Sequence, residues 1–169
     1  MKSKLLLLAA MGVMAVLVAG CGGGGGGDTD VSRIKGRYRE LQKGIENKDI
    51  QRAMSVYSYS YLDYGYTYDD VKNGFANLFI DWNNIQEDQV FHDIRVAGNM
   101  AYVNWTETLT ATDANTGQVS QSVQTYDDVL HWENGDWYLY GNQQSAAPAA
   151  KRALRYSGQR LREAPAKPR

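Results

Sequence analysis

The chain has 169 residues, with 18 lysines and arginines against 19 aspartates and glutamates, two histidines and one cysteine. That length holds one domain with appendages, and 43% hydrophobic with 22% charged residues describes a folded chain rather than a disordered one. A lone cysteine excludes an internal disulfide framework and a CxxC-type zinc site, and two histidines leave little for a histidine-rich metal centre, so neither metal nor cofactor is expected.

The chain opens on an address. Lys2 and Lys4 precede the uncharged run Leu5 to Ala19, 15 residues long. That suits the apolar core of a signal peptide and falls short of the roughly 20 residues that span a bilayer. Val18-Ala19-Gly20-Cys21 then resembles the lipobox of bacterial lipoproteins. The resemblance implies a signal peptide over 1–20, cleavage before Cys21, and acylation of Cys21 with chains such as palmitate, so that the membrane itself is a partner. Two or three chains hold firmly, because each buried CH₂ contributes about 0.8 kcal/mol and one chain alone is marginal. The mature chain would keep no thiol, which excludes cysteine nucleophiles and redox cysteines. Within 21–30, Gly22 to Gly27 reads as a flexible tether with a reach of ~15 Å. Gly22, where an Asp would direct retention, resembles the Gram-negative sorting pattern, which in a Gram-negative host implies the outer membrane facing the periplasm.

The domain follows over 31–143. Val31, Ile34, Tyr38, Leu41 and Ile45 recur at steps of three and four, one face of a helix. Asp49 can cap a second helix that buries Ile50, Ala53, Met54 and Tyr57. Thr67 with Asp70 forms a capping-box pattern for a third, carrying Val71, Phe75, Leu78, Phe79 and Trp82. The period then changes to two. Gln89 to Val96 and Met100 to Ala111 flank a turn at Ala97-Gly98-Asn99, and Asn115-Thr116-Gly117 closes the next pair. Val119 to Glu133 and Trp137 to Asn142 flank Asn134-Gly135, a strong hairpin signal. Helices first and an antiparallel meander after predict an α+β domain with helices on one sheet face.

Charge separates domain from tail. Residues 28–150 carry nine basic and 18 acidic side chains, whereas 151–169 carry seven basic and one acidic. The 144–169 segment, with its thin apolar stripe of Leu154 and Leu161, reads as a disordered basic tail that can contact anionic surfaces. An acidic domain with an exported address excludes nucleic acid as a partner.

The run Ile45-Glu46-Asn47-Lys48-Asp49, the helix over Val71 to Phe79, Gly98-Asn99-Met100-Ala101-Tyr102-Val103 and the segment Asp127 to Tyr140 together resemble the NTF2-like superfamily. The likeness is to its SnoaL-like and ketosteroid isomerase-like members. That resemblance implies three N-terminal helices packed on a curved antiparallel sheet of about four to six strands, a cone with a pocket at its open end. It leaves function open, since the fold hosts isomerases, dehydratases, ligand binders and adaptors.

Six of the 12 tyrosines fall between 57 and 68, either as a pocket wall or, the reading favoured by alternation, as packing along an edge. Ligand-pocket candidates are Tyr57, Tyr61, Trp105, Tyr126 and Trp137. By resemblance to the isomerases, an Asp after the second helix would abstract a proton. Asp63 is the nearest carboxylate but two residues out of register, and Tyr38 lies one turn before the family's helix-one donor. Alternation puts Glu107 on the face of Ala101, Val103, Trp105 and Leu109, either buried and tuned for acid–base work or solvated at the rim, the favoured reading. His92 and His131 lack relay partners. The expectation is a lipid-anchored envelope domain that binds a small apolar ligand or an envelope protein without catalysis. The alternatives are proton transfer in a tyrosine-lined pocket, with Asp63 or Glu107 as base, or an adaptor or homodimer that pairs through the open sheet face.

Overall fold

The computed structural model describes residues 27–145 and Leu161. The expected signal peptide, Cys21 and nearly all of the glycine tether lie outside the described residues, as does the tail except Gln144, Ser145 and Leu161.

Helix α1 (Gly27–Glu46) buries Ile34, Tyr38, Leu41 and Ile45 along one stripe. Asp28 and Asp30 in its first turn and Lys43 in its last complement the helix dipole. Gly44 lets the next helix approach, because a Cβ there would overlap the Ala53 backbone. Helix α2 (Ile50–Met54) starts where Asp49 accepts the Arg52 N–H at 3.0 Å. It is short, so Tyr57 lies beyond it and bridges to Leu139. Strands β1 (Leu62–Asp63) and β2 (Tyr66–Thr67) pair around Tyr64 and Gly65, both at positive φ. Helix α3 (Tyr68–Asp81) begins with the complete capping box of Thr67 and Asp70.

Trp82 corrects the expectation. It is extended, with φ −132° and ψ 142°, and opens strand β3 (Trp82–Ala97) instead of closing α3. Strands β4 (Met100–Asp113), β5 (Val119–Glu133) and β6 (Asp136–Leu139) follow in a wholly antiparallel sheet of order β3-β4-β5-β6. Register shifts between Asn83 and Gln86 and between Phe91 and Asp93 strengthen the twist of β3, and the sheet curves as a half-barrel around the helices. Helix α1 is stitched to β3 by polar contacts: Gln42 Nε2 donates to the Glu87 carbonyl at 2.6 Å, and Glu46 Oε1 accepts the Glu87 N–H at 3.1 Å. At the other edge, Arg37 pairs with Asp136 at 3.2 Å.

The core lies between the helices and the inward sheet face, where Ala101, Val103, Trp105, Leu109, Ala111 and Leu130 meet the α1 stripe. Leu161 joins it: this residue is helical and 1% exposed. Its burial sets this residue of the expected disordered tail against the core. Among the described residues no helix is long and apolar enough to cross a membrane.

Candidate functional site

Alternation along β4 turns Trp105 and Glu107 inward, and the register sets Tyr126 opposite Trp105 and Gln89 opposite Glu107. Three carboxylates share this inward face: Glu87 at 1% exposure, Glu107 at 3%, and half-buried Asp128. Each meets a donor. The Tyr38 hydroxyl and the Trp105 indole N–H converge on Asp128 Oδ2 at 2.8 and 2.7 Å. The Tyr126 hydroxyl donates to Glu107 Oε2 at 2.9 Å, and Gln89 Nε2 to Glu87 Oε1 at 2.8 Å. Aromatic rings frame the group: Trp105 lies 4.9 Å from Tyr38 in an edge contact and 5.4 Å from Tyr126. The inward face thus combines apolar and aromatic walls with a line of carboxylates, each engaged by a donor.

Of the residues singled out from sequence, Trp105, Tyr126 and Glu107 come together. Glu107 is buried there at 3% exposure, beside the Tyr126 hydroxyl, and is not a rim group. The other three candidates for the pocket wall lie elsewhere. Tyr57 and Tyr61 stack edge-on at 5.1 Å beside Phe75. Trp137 packs on Trp132 and donates to Asp30 near the start of α1 at 3.3 Å. Asp63 accepts the Asn142 N–H at 3.1 Å, a contact that holds β1 to the end of the domain. Both histidines are on the opposite sheet face, His92 against Thr106 at 2.8 Å and His131 between Asn99 and Glu133. Among the described residues no cluster of histidine, cysteine and carboxylates is arranged to hold a metal.

Glu87 escaped the sequence reading. It sits in the polar run Gln86-Glu87-Asp88-Gln89, which resembles a solvated loop, and only the β3 register reveals its inward side. Nothing in sequence links Tyr38 to Asp128, 90 positions away.

A concavity opens outside the cone, away from these carboxylates. It encloses about 420 Å³ between α2, the start of α3 and the β5–β6 turn, and Tyr57 borders it. There Ser58 Oγ donates to both oxygens of Glu133 at 2.9 and 3.1 Å, and Glu133 also faces His131 Nδ1 at 3.2 Å. The carboxylate stands between serine and histidine, so the histidine cannot take the serine proton and no nucleophile is formed. Tyr68 borders the same hollow, and burial, then Tyr59 beside it, pushes its hydroxyl pKa above the usual phenol range.

No family model and no curated sequence matches the chain. Solved structures do. A candidate scytalone dehydratase from Novosphingobium aromaticivorans superposes with a TM-score of 0.63 at 10% identity, covering 75% of this chain and 97% of that one. An NTF2-like superfamily protein from Salmonella enterica gives 0.61 at 14% identity, covering 74% of this chain and 96% of that one. The fold is NTF2-like. A candidate dehydratase of the NTF2-like family from Streptomyces avermitilis agrees, with a TM-score of 0.58 at 17% identity over 72% of this chain and 99% of that one. At such identities the likeness carries the NTF2-like cone and not its chemistry. The expected fold, three helices on a curved antiparallel sheet of about four to six strands, is therefore correct, and the main sheet has four.

Proposed function

We propose that the chain is a lipid-anchored envelope protein whose NTF2-like cone holds a small ligand and does not transform it. The ligand has an aromatic or aliphatic body and hydrogen-bond-donating groups. The observation that carries this reading is the commitment of the inward donors: Tyr38 and Trp105 donate to Asp128, and Tyr126 to Glu107. A hydroxyl that must leave a carboxylate before it can stabilise an enolate is a poor oxyanion donor. With both histidines on the other face, the inward surface is rich in carboxylates set among aromatic rings, which is the ground for narrowing the purely apolar ligand expected from sequence. The lipobox at Val18 to Cys21 supports the anchor.

Phenethylamine and phenylacetate, matched in body and opposite in charge, test the reading. The amine should raise the melting temperature, with a stabilisation of about 2.7 kcal/mol at a hundredfold excess over Kd. Phenylacetate should do nothing, and Glu107→Gln should weaken the amine. Equal stabilisation by both probes would overturn the reading. One observation favours a second reading: Glu107 is a buried carboxyl beside the Tyr126 hydroxyl, a pairing suited to proton transfer. Under it, the protein would exchange the α-deuterons of tetralone, and Glu107→Gln would abolish exchange.

A further inference from the structure

The hollow outside the cone shares no residue with the carboxylate face, and its lining has a different character. Tyr59 is 87% exposed, and its ring lies 4.9 Å from that of Tyr68 at a tilt of 37°. Tyr138 faces the same space, with Lys72, Glu133 and Asn134 around it. Two of these groups are fixed before any ligand arrives. Glu133 is oriented by the two contacts from Ser58 and by His131. Tyr138 lies beneath the Arg37 guanidinium, 4.8 Å from its centroid.

The main chain beside the hollow is already used. Leu139 donates to the Val56 carbonyl at 2.8 Å, and Ser58 to the Leu139 carbonyl at 2.9 Å. The edge of β6 therefore has no open stretch here to take a peptide as an added strand. Recognition must come from side chains. A wholly apolar ligand would desolvate Glu133, Lys72 and Asn134 without replacing their hydrogen bonds. A polyanion would meet Glu133 and an acidic domain. A sugar ring meets neither penalty, since its C–H faces lie flat on tyrosine rings and its hydroxyls suit carboxylate, amide and ammonium together. Met54 at one side of the hollow supplies an apolar seat for the methyl of an acetamido group.

We propose that this hollow is a saccharide-binding site that takes a short glycan of acetamido sugars across the Tyr59–Tyr68 pair, with Glu133 and Asn134 reading its polar groups. The size agrees, since about 420 Å³ lies within the range of about 300–1,000 Å³ for small-ligand sites. The site acts independently of whatever the cone holds.

Chitotetraose is the probe, titrated into the full chain and followed by NMR and calorimetry. Binding should perturb Tyr59, Tyr68 and Tyr138. Tyr59→Ala should weaken it about tenfold, as the loss of one aromatic contact does, and Glu133→Gln should weaken it similarly. Tyr59 is exposed, so its removal leaves the fold intact, which circular dichroism verifies. Tyr102→Ala removes an exposed tyrosine from the outer sheet face and should leave affinity unchanged. Maltotetraose, which lacks acetamido groups, should bind more weakly. Absence of chitotetraose binding, binding indifferent to Tyr59→Ala, or maltotetraose bound as well as chitotetraose would each overturn the assignment.

Discussion

Replacing Asp128 with alanine withdraws the acceptor on which the Tyr38 hydroxyl and the Trp105 indole converge, at 2.8 and 2.7 Å. Both donors are buried. A buried donor whose partner is removed costs about 1–3 kcal/mol, so two would cost about 2–6 kcal/mol. Asp128 is half-buried, and relief of its own desolvation offsets part of that, which places the expected loss near 2–4 kcal/mol, in round numbers. Asp128→Asn retains an oxygen where both bonds end and should cost less than about 1.5 kcal/mol. Urea unfolding followed by far-ultraviolet circular dichroism reads the difference, since a loss of that size moves the midpoint by about 1–2 M at a slope near 2 kcal/mol/M. The aromatic frame should respond too, because Tyr38 also lies 5.2 Å from Phe91 and loses its tether. An alanine variant within about 0.5 kcal/mol of the parent, the range of an unremarkable surface change, would refute the reasoning. So would an asparagine variant as costly as alanine.

Leu161→Ala should destabilise the domain by about 2–4 kcal/mol, the cost of truncating a core leucine, and deletion of 148–169 should lower the melting temperature. A melting temperature unchanged in both would show that Leu161 contributes no packing. Glu40 is held below its ordinary value of 4.5, first by the hydrogen bond from Arg52 and then by that from Lys43. A depressed folded pKa gives stability that is present above about 4.5 and lost as pH falls through the folded value, so Glu40→Gln should flatten the acid limb of the stability profile. The group is more than a third exposed and screened by solvent, so the difference at neutral pH should stay below about 1 kcal/mol; identical acid limbs would contradict the sign. Cys21→Ser should release the protein from membrane fractions or leave an unprocessed precursor, whereas unchanged partition and acylation would remove the lipoprotein reading.

Periodicity made much of the fold legible. The α1 stripe, the Thr67–Asp70 box and the three tight turns are local signals, and each sits where its residues place it. The first half of β3 was hidden for a physical reason. Its inward residues include Glu87 and Gln89, so the apolar alternation fails there, and Asn83-Asn84, with Asn84 at φ 49°, reads as a break. The face of Glu107 followed from alternation, but its exposure depended on what packs against that face, which is a tertiary fact. The same holds for Trp137: its strand was clear, yet its partners Asp30 and Trp132 are set by the docking of α1. The outer hollow joins Ser58 to Glu133 across 75 positions, and no spacing rule connects them.

The central claim is that the inward face around Trp105, and not the side of the core around Trp137, receives a ligand with donor groups. Following the four tryptophan indole N–H signals by NMR while phenethylamine is added tests it most directly. The account predicts that the Trp105 signal moves in a saturable way, that the Trp137 signal stays fixed, and that phenylacetate moves neither. A shift at Trp137 instead, no shift at Trp105, or an equal response to phenylacetate would contradict it.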